Sequence, residues 1–336
     1  MKRRWLKYTI GGVLLLLLFV LIGSVSLYWY LEPTRYFSRN PHPVLGEPHS
    51  FQNEQTKPLQ EAASSPQATS STPQETSQKP AQSKPDPSFN VLILGIDEAE
   101  ASIARTDVIM FAHVDPVTKK VSLLSIPRDT KVKIDGVGYT KINHAHVLGN
   151  LHGGNHAGTT AAIQSVTELL DLPVNYYVKV SFRSFEHFVD QIGGVDVNLP
   201  YQIKAFPSGV NHLNGTQALE VARERHSLPR GDMDRQVSQS LILKSILTKV
   251  LEPNNIPQIP ELYQKVKQDM IDTNFTDTDL LSLSLLFKGL TGEGIRYDQL
   301  PGKGSFAMDP LVKAQLYYWI PDTEALKSIV QSFKTN

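Results

Sequence analysis

An uncharged apolar run near the N-terminus constrains this chain more than any other feature of its sequence. Ile10 to Leu27 read IGGVLLLLLFVLIGSVSL, 18 residues without a charge, and aromatic residues extend the run at Tyr8 and at 28–30. A helix that spans a bilayer needs about 20 apolar residues. The run therefore predicts a transmembrane helix over residues 8–30.

The charges on either side of this run predict its orientation. Four basic residues precede it and Glu32 follows it; the basic residues are Lys2, Arg3, Arg4 and Lys7. Positive charge marks the cytoplasmic side of a membrane helix, so residues 1–7 are predicted to be cytoplasmic and everything after residue 30 extracytoplasmic. The alternative is a cleaved signal peptide, because Ser24-Val25-Ser26 resembles a small-x-small cleavage site. Both interpretations place the rest of the chain outside the cytoplasm.

The segment after the span has the composition of a linker. Between Phe51 and Ser88, Ser, Pro, Gln and Thr supply 24 of 38 residues, and Phe51 and Leu59 are the only large apolar side chains. Such a segment buries too little apolar surface to fold. We therefore expect residues 31–89 to be a flexible extracytoplasmic stalk.

Composition excludes several classes of function for the remainder. The 33 Lys and Arg residues balance 33 Asp and Glu residues, so a broad nucleic-acid-binding surface is not expected. There is no cysteine, which excludes disulfides, thiolate zinc sites and a cysteine nucleophile. Residues 90–336 run without a second linker and are predicted to form one domain.

The apolar pattern of this domain predicts an α/β fold. Uniformly apolar runs such as Val91 to Leu94 read as buried strands, and amphipathic segments between them read as helices. We expect a mixed central sheet covered by helices on both faces. The predicted strands are 91–94, 108–114, 121–126, 176–180, 195–199, 295–300 and 316–320, and the predicted helices are 158–170, 182–192, 216–223, 234–251, 260–270, 277–288 and 322–330.

Three charged segments follow predicted strands or helices, at positions where ligands bind in α/β sheets. Their carboxylates, without cysteine or clustered histidine, suit a hard cation such as Mg²⁺, and planar guanidinium groups match phosphate oxygens. Structural salt bridges among the same residues are the alternative. The segments are Asp97 with Arg105-Thr106-Asp107, then Ile126-Pro127-Arg128-Asp129 with Lys141 and Asn143, then Arg223, Arg225, Arg230, Asp232, Arg235, Gln236 and Gln239.

The order of motifs in the chain resembles the LytR–CpsA–Psr family. The resemblance extends from Asn90 to Val330, and the anchor and stalk are similar as well. The motifs are NVLILGID, ARTDVIMFAHVDP, KVSLLSIPRDT, KINHAH, NYYVKVSF, IGGVDVNLP, HLNGTQALEVARERH, PRGDMDRQ, LPGKG and YYWIPD. The resemblance implies a membrane-anchored phosphotransferase that moves an anionic glycopolymer, such as wall teichoic acid or capsule, from undecaprenyl pyrophosphate to peptidoglycan. It also implies the cell membrane of a Gram-positive bacterium as its location.

The same resemblance implies roles for particular residues. Asp97 and Asp107 would hold Mg²⁺, with Mn²⁺ as a substitute. Residues expected around the pyrophosphate are Arg105, Arg128, Arg223, Arg225, Arg235 and Gln239, and those with catalytic roles are Arg128, Arg223, Arg235 and Asp232.

Three expectations concern the geometry of this site. Asp232 is either a base or an orienting group, and guanidiniums around a carboxylate favour orientation. Arg225 lies about 200° from Arg223 on an uninterrupted helix, so it faces the same ligand only if the helix ends first. A polyprenyl tail implies an apolar cavity between sheet and helices with the arginines at its mouth, although the run Leu280 to Leu286 can equally be ordinary core.

Two other functions fit the residues and differ in their products. A non-catalytic polyprenyl-phosphate-binding protein or envelope regulator would form no product. A lipid pyrophosphatase would use water in place of the peptidoglycan hydroxyl.

Overall fold

The computed structural model describes residues 19–40, 42–48, 86–97, 105–252, 255, 271–288 and 290–335. Over these ranges, none of the helices is both long enough and apolar enough to cross a bilayer. Residues 8–18 of the predicted span lie outside the described residues, as do most of the predicted stalk and the predicted helix at 260–270.

A six-stranded mixed sheet forms the centre of the domain, as the sequence predicts. Its order is β10-β3-β2-β1-β6-β9, with β1 parallel to β6 and β3 parallel to β10, and the other neighbours antiparallel. Three separate hairpins are β4-β5, β7-β8 and β11-β12. The strands are β1 (Phe89–Ile96), β2 (Thr106–Asp115), β3 (Lys120–Ser125), β4 (Lys131–Ile134), β5 (Gly138–Lys141), β6 (Tyr176–Ser181), β7 (Val195–Leu199), β8 (Gly209–Leu213), β9 (Ile271–Thr273), β10 (Ile295–Gln299), β11 (Gly302–Met308) and β12 (Gln315–Pro321).

Helices cover the sheet on both faces. Successive side chains of a strand point to opposite faces, so Leu92 and Leu94 of β1 belong to one apolar cluster and Val91 to another. The helices are α1 (19–31), α2 (Pro33–Arg39), α3 (His144–Leu170), α4 (Phe182–Gln191), α5 (Gly215–Arg223), α6 (Asp232–Val250), α7 (Asp277–Leu286) and α8 (Thr323–Thr335).

Helix α3 is longer than its apolar pattern predicts. It begins at His144 rather than at residue 158 and contains a kink, because Gly153 and Gly154 have non-helical torsions. Gly154 has a φ of 76°, a conformation that glycine adopts readily. The predicted helix therefore corresponds only to the half of α3 after the kink.

The predicted stalk begins too early. Leu31, Tyr36 and Phe37 are buried, the Tyr36 hydroxyl donates to Asp279 at 3.0 Å, and Ser282 donates to the Leu31 carbonyl at 3.1 Å. A β-bridge joins Gly46 to Val174. Because these contacts attach residues 31–40 and 42–48 to the domain, the stalk cannot include them.

Candidate active site

Two carboxylates lie at one end of the central sheet. Asp107 is the extra residue of a β-bulge, since Ile96 pairs with Thr106 and Gly95 with Val108. Bulges redirect a side chain out of the regular alternation. Asp97 follows β1 directly, and its backbone N–H donates to the Arg105 carbonyl at 3.4 Å. Both predicted metal ligands therefore lie at the same end of the sheet, Asp97 just after β1 and Asp107 on the adjacent strand β2.

Arg128 approaches Asp107 from the loop that follows β3. Its Nη1 donates to Asp107 Oδ1 at 2.5 Å, and its Nε lies 3.9 Å from Asp129 Oδ2. Lys141 Nζ donates to Asp129 at 2.6 Å, and the Asn143 N–H donates to the Arg128 carbonyl at 3.3 Å. These contacts fix the loop, so Arg128 has one defined position beside Asp107.

Arg223 is the last residue of α5, which starts at a capping box formed by Asn214 and Gln217. Its guanidinium lies 4.6 Å from the centre of the Phe182 ring and 3.9 Å from Asp97 Oδ2. Because α5 ends here, Arg225 leaves the helical register, and both arginines line the same cavity. The expectation that the helix ends before Arg225 is confirmed.

The first two turns of α6 supply the remaining predicted residues. Arg235 Nη2 lies 2.5 Å from Asp232 Oδ1, and Gln236 donates to Asp232 Oδ2 at 3.0 Å. Gln239 donates to the Ala222 carbonyl at 3.0 Å, which joins α6 to the end of α5. Asp232 thus forms an ion pair with Arg235, which is 5% exposed.

The two buried arginines differ in their electrostatic balance. Burial lowers the pKa of Arg128, but the hydrogen bond and charge of Asp107, with Asp129 and Asp232, outweigh burial and raise it. Burial also lowers the pKa of Arg235, and there burial is the dominant effect, because the attraction of Asp232 and Asp107 is partly offset by repulsion from Arg128 and Arg225. Among the described residues, the Nε atoms of both arginines lack a hydrogen-bond partner. Arg235 is therefore a buried cation that a further anion would stabilise.

A cavity of about 590 Å³ lies between the sheet and the helices. Its floor is one face of the sheet, and its other walls come from helices α4 to α7 and the residues flanking them. Most of its lining is apolar, including Val91, Ile93, Val108, Met110, Leu123, Val178, Val180, Phe185, Leu219, Ile242, Leu243, Leu247, Leu283 and Phe287.

Four of the predicted arginines and Asp107 lie on the wall of this cavity, which confirms the expectation of an apolar cavity beside the arginines, whereas Asp97 and Asp232 are not part of its lining. Of the run Leu280 to Leu286, Leu283 lines the cavity, whereas Leu286 is buried in the core. The polar lining residues are Asp107, Arg128, Ser181, Arg223, Arg225, His226, Arg235 and Gln239.

A second, smaller cavity of about 390 Å³ adjoins the first, since Arg225 and His226 line both. Asp129, Asp232, Tyr317 and Trp319 contribute to its walls. Tyr317 and Trp319 belong to one of the sequence motifs, but the sequence does not indicate that they line a cavity. They do so because the hairpin β11-β12 contacts the loop after β3, which is distant in the chain.

Arg105 and Arg230 do not line the larger cavity, although Arg230 lines the smaller one. Arg105 is exposed at the start of β2 and is not part of the cavity lining. Arg230 donates through Nε to Asp234 at 2.8 Å, and this pair closes the turn before α6. Phe182 and His226 line the site without having been predicted from the sequence, because aromatic and histidine residues of a single chain carry no signal that separates ligand contact from core packing.

The fold and the site together define an α/β domain whose apolar cavity opens onto a cluster of arginines and carboxylates, the arrangement suited to an amphiphile with an anionic head. The chain belongs to the LytR_cpsA_psr family, whose model matches residues 53–335. It is 34% identical over 256 residues to the polyisoprenyl-teichoic acid–peptidoglycan teichoic acid transferase TagU of Bacillus subtilis, covering 75% of this chain and 78% of that protein.

Solved structures show the same similarity. The crystal structure of B. subtilis TagV superposes with a TM-score of 0.62 at 29% identity, over 74% of this chain and 96% of that one. A structure of TagT bound to LIIa-WTA superposes with a TM-score of 0.59 at 27% identity, over 74% of this chain and 90% of that one.

Proposed function

We propose that this protein transfers an anionic glycopolymer of the teichoic acid class from a polyprenyl pyrophosphate carrier to peptidoglycan. The observation that carries the proposal is the 590 Å³ apolar cavity with Arg128, Arg223 and Arg235 on its wall. A polyprenyl tail gains about 0.8 kcal/mol for each methylene it buries, and guanidinium groups bind phosphate oxygens in two-pronged geometry. One cavity thus offers both halves of a lipid pyrophosphate a suitable environment.

The relatives support the same substrate class. The B. subtilis relative is named as a transferase of teichoic acid from a polyisoprenyl carrier to peptidoglycan. TagT, which shares the fold, has been solved with LIIa-WTA bound. Four of the motifs that resemble the family supply the charged wall of the cavity, through Asp107, Arg128, Arg223 with Arg225, and Arg235.

The reaction exchanges one phosphorus–oxygen bond for another. A peptidoglycan hydroxyl oxygen attacks the phosphorus attached to the glycopolymer and forms a phosphodiester. The bond from that phosphorus to the bridging oxygen breaks, and its electron pair leaves on undecaprenyl phosphate. The hydroxyl proton is shared between the released phosphate and water, since the second pKa of a phosphate monoester is about 6.

The arginines act on the charge that develops in this step. Arg128 and Arg235 are buried and held by Asp107 and Asp232, so they need no reorganisation as charge moves to the leaving phosphate. Arg223 is more exposed and rests on Phe182, a position suited to the outer phosphate oxygens. The ion pair of Asp232 with Arg235 supports an orienting role for this carboxylate.

Mg²⁺ fits the donor set at the sheet end. Among the described residues, no group of three or more His, Asp or Glu side chains is arranged to hold a metal without help. Mg²⁺ commonly takes one or two protein carboxylates and completes its shell with phosphate oxygens and water, which matches Asp97 and Asp107. When bound, the ion would neutralise negative charge on the pyrophosphate.

Product analysis tests the function directly. The full chain in detergent is incubated with a short lipid-pyrophosphate glycan, peptidoglycan oligomers and Mg²⁺, and products are identified by mass spectrometry. A glycan–peptidoglycan phosphodiester together with undecaprenyl phosphate is the expected result. A free glycan phosphate would instead indicate hydrolysis, and unchanged substrate would indicate a binding protein.

A substitution at Asp107 tests the proposed metal site separately. Asp107→Ala should abolish the dependence of transfer on Mg²⁺ and weaken Mn²⁺ binding measured by electron paramagnetic resonance, while binding of the lipid persists because the apolar wall is intact. Asp135→Ala, which alters an exposed turn residue, is the control. Undiminished Mn²⁺ binding by the Asp107 variant would contradict this assignment.

We also propose that the chain is a single-pass protein of the cell membrane with its catalytic domain outside the cytoplasm. The 18-residue uncharged run and the basic residues before it support this topology. The proposed substrates do too, since one is a membrane lipid and the other is the cell wall.

A further inference from the structure

The hairpin β11-β12 has two faces of different character. On the inner face Tyr318 is fully buried, and its hydroxyl donates to Asp309 at 2.6 Å. On the outer face Phe306 pairs across the strands with Tyr317, and their rings form an edge-to-face contact with centroids 5.8 Å apart. Phe306 is 71% exposed and Tyr317 is 41% exposed. Aromatic side chains in this position are unusual for a surface that contacts only water.

Two glycines make room for the aromatic rings on this outer face. A Cβ atom on Gly302 would lie 2.6 Å from Trp319 Nε1, and one on Gly304 would lie 2.7 Å from the Tyr317 ring. The rings of Trp319 and Tyr317 therefore lie directly against backbone. Together with Phe306 they form what we term the aromatic stripe.

The inner end of the aromatic stripe is fixed to the active site. The Trp319 N–H donates to the Asp129 carbonyl at 2.9 Å, next to Arg128, and its indole Nε1 donates to the Leu300 carbonyl at 3.1 Å. Tyr317 and Trp319 line the smaller cavity, which shares Arg225 with the larger one. A molecule lying on the stripe can therefore enter the smaller cavity and meet the proposed pyrophosphate site at the boundary of the two.

The chemistry of this path matches a sugar polymer. Flat aromatic rings pack against the apolar faces of sugar rings, while carboxylates accept hydrogen bonds from hydroxyl groups. The path has its aromatic rings outside and the carboxylates Asp129 and Asp232 inside. Arg225 and Arg230 balance these two carboxylates in the lining, so the smaller cavity has no excess of positive charge to attract a polyanion and suits an uncharged sugar chain. A lipid tail finds its apolar environment in the other cavity.

We propose that the aromatic stripe and the smaller cavity form the acceptor site, which holds a peptidoglycan glycan strand and directs one of its hydroxyl groups toward the pyrophosphate. This inference rests on the proposed function and adds to it the place and the residues of acceptor binding. Tyr317 and Phe306 hold the strand, and Trp319 sets the angle of the hairpin relative to the loop that carries Arg128.

Removing one ring at a time tests the acceptor site. The full chain in detergent is titrated with an uncrosslinked tetrasaccharide of alternating N-acetylglucosamine and N-acetylmuramic acid, and heat of binding is measured. Tyr317→Ala and Phe306→Ala should each weaken binding about tenfold, the usual effect of removing an aromatic contact from an interface. Both should raise KM for the acceptor while KM for the lipid donor stays unchanged. Tyr139→Ala removes a similarly exposed ring from the neighbouring β4-β5 hairpin and should change neither quantity.

The outcomes separate this inference from the proposed function. If the wild-type chain makes phosphodiester and both stripe variants bind the tetrasaccharide normally, the acceptor site is wrong and the transferase remains. If the stripe variants raise KM for the lipid donor instead, the stripe holds the donor polymer and the acceptor site is again wrong. If the variants lose tetrasaccharide binding but the wild-type chain forms no phosphodiester, the glycan site stands and the transferase fails.

Discussion

Arg128 and Arg235 illustrate how a buried charged side chain can either stabilise the fold or bind a ligand. Both guanidiniums are largely buried, but Arg128 is hydrogen-bonded to Asp107, and its pKa is raised despite burial. Burial lowers the pKa of Arg235 by more than the ion pair with Asp232 and the charge of Asp107 raise it. Both remain protonated at any physiological pH. The incompletely compensated burial of the Arg235 charge favours an incoming anion over a purely structural role.

Replacing Arg235 tests this difference. Arg235→Ala should slow transfer by about 10²–10³-fold, the usual effect of losing one preorganised donor to a charged transition state. Arg235→Lys should recover only part of the rate, because an ammonium group lacks the planar fork. The measurement is the rate of phosphodiester formation, with the melting temperature recorded for each variant.

Arg183→Ala, at an exposed position on α4, is the control for removing a guanidinium. Arg128→Ala and Arg223→Ala should follow Arg235→Ala. If the residues only pair with one another, these variants would melt at lower temperature and keep their rate per folded molecule, and the proposed site would have to be abandoned.

At the scale of elements, the sequence predicts the strands and helices that carry a recognisable pattern in their own residues. Strands β1, β2, β3 and β6 lie close to their predicted positions because each buries an apolar run. Helix α6 also lies close to its predicted position, although most of its buried residues are polar. The hairpin β4-β5 has no such run, and β11 consists largely of exposed residues. Their pairing depends on contacts made elsewhere in the fold. The sequence predicts β12 at 316–320 but not its partner β11, so it gives no indication of the proposed acceptor site on this hairpin.

Lys179 shows an element junction that sequence reasoning did not identify. It lies on β6 with 2% exposure, and its ammonium group contacts Asn155 at 2.8 Å, Thr159 at 2.6 Å and Asp272 at 2.9 Å. These partners lie on α3 and on the edge strand β9. One buried cation thus joins three elements.

Asp272→Asn should therefore destabilise the protein by roughly 2–4 kcal/mol, because it leaves the Lys179 ammonium group buried without its counter-charge. Adding Lys179→Met should recover much of that loss, because it removes the unpaired charge. Urea unfolding measures both effects. Glu220→Gln, in an exposed pair with Lys204, should change stability by only about 0–1 kcal/mol. Equal losses for Asp272→Asn and Glu220→Gln would mean that burial of Lys179 is not important.

At the scale of the whole molecule, the two faces of the sheet have different roles. The face that carries Leu92, Leu94 and Phe111 is packed solidly against α3 and α8. The opposite face lines the cavity, where side chains lack the dispersion contacts of a filled core. The first face is filled by the fold itself, whereas the second, which packs in part against α2 and α7, leaves room for a ligand. Binding of that ligand would raise the stability of the protein.

Stability should also fall in acid, because carboxylates in this fold are held ionised. Burial alone would raise the pKa of Asp309, but donors from Tyr318, Val312, Thr140 and Leu311 lower it to about 2. A folded-state pKa below the ordinary value means that the stabilisation is present above about pH 4 and disappears as pH falls toward 2. Asp309 should supply about 2 kcal/mol in this way.

Urea unfolding between pH 6 and pH 2 measures this dependence. Asp309→Asn should be less stable at pH 6 and should lose less stability than the wild-type chain on acidification. Asp135→Asn removes an exposed carboxylate and should leave the pH dependence as it is. If the unfolding free energies of the wild-type chain and Asp309→Asn fall in parallel with pH, the buried carboxylate is not the source of the loss of stability in acid.

The topology prediction connects the ends of the chain to the proposed reaction. A lipid donor reaches the cavity only if the domain stays near the membrane, and the cell wall lies on the outer side of that membrane. A reporter enzyme fused after Asn336 should therefore be active only in the exterior compartment. Protease added to intact protoplasts should release a fragment that begins between Phe51 and Ser88, because that composition exposes its backbone to cleavage.

Substituting Lys2, Arg3, Arg4 and Lys7 by Ser should weaken the orientation bias, since these charges determine which end stays inside. Protection of the 51–88 segment in intact protoplasts would contradict the topology, and recovery of the domain from the medium without its first residues would favour a cleaved signal peptide.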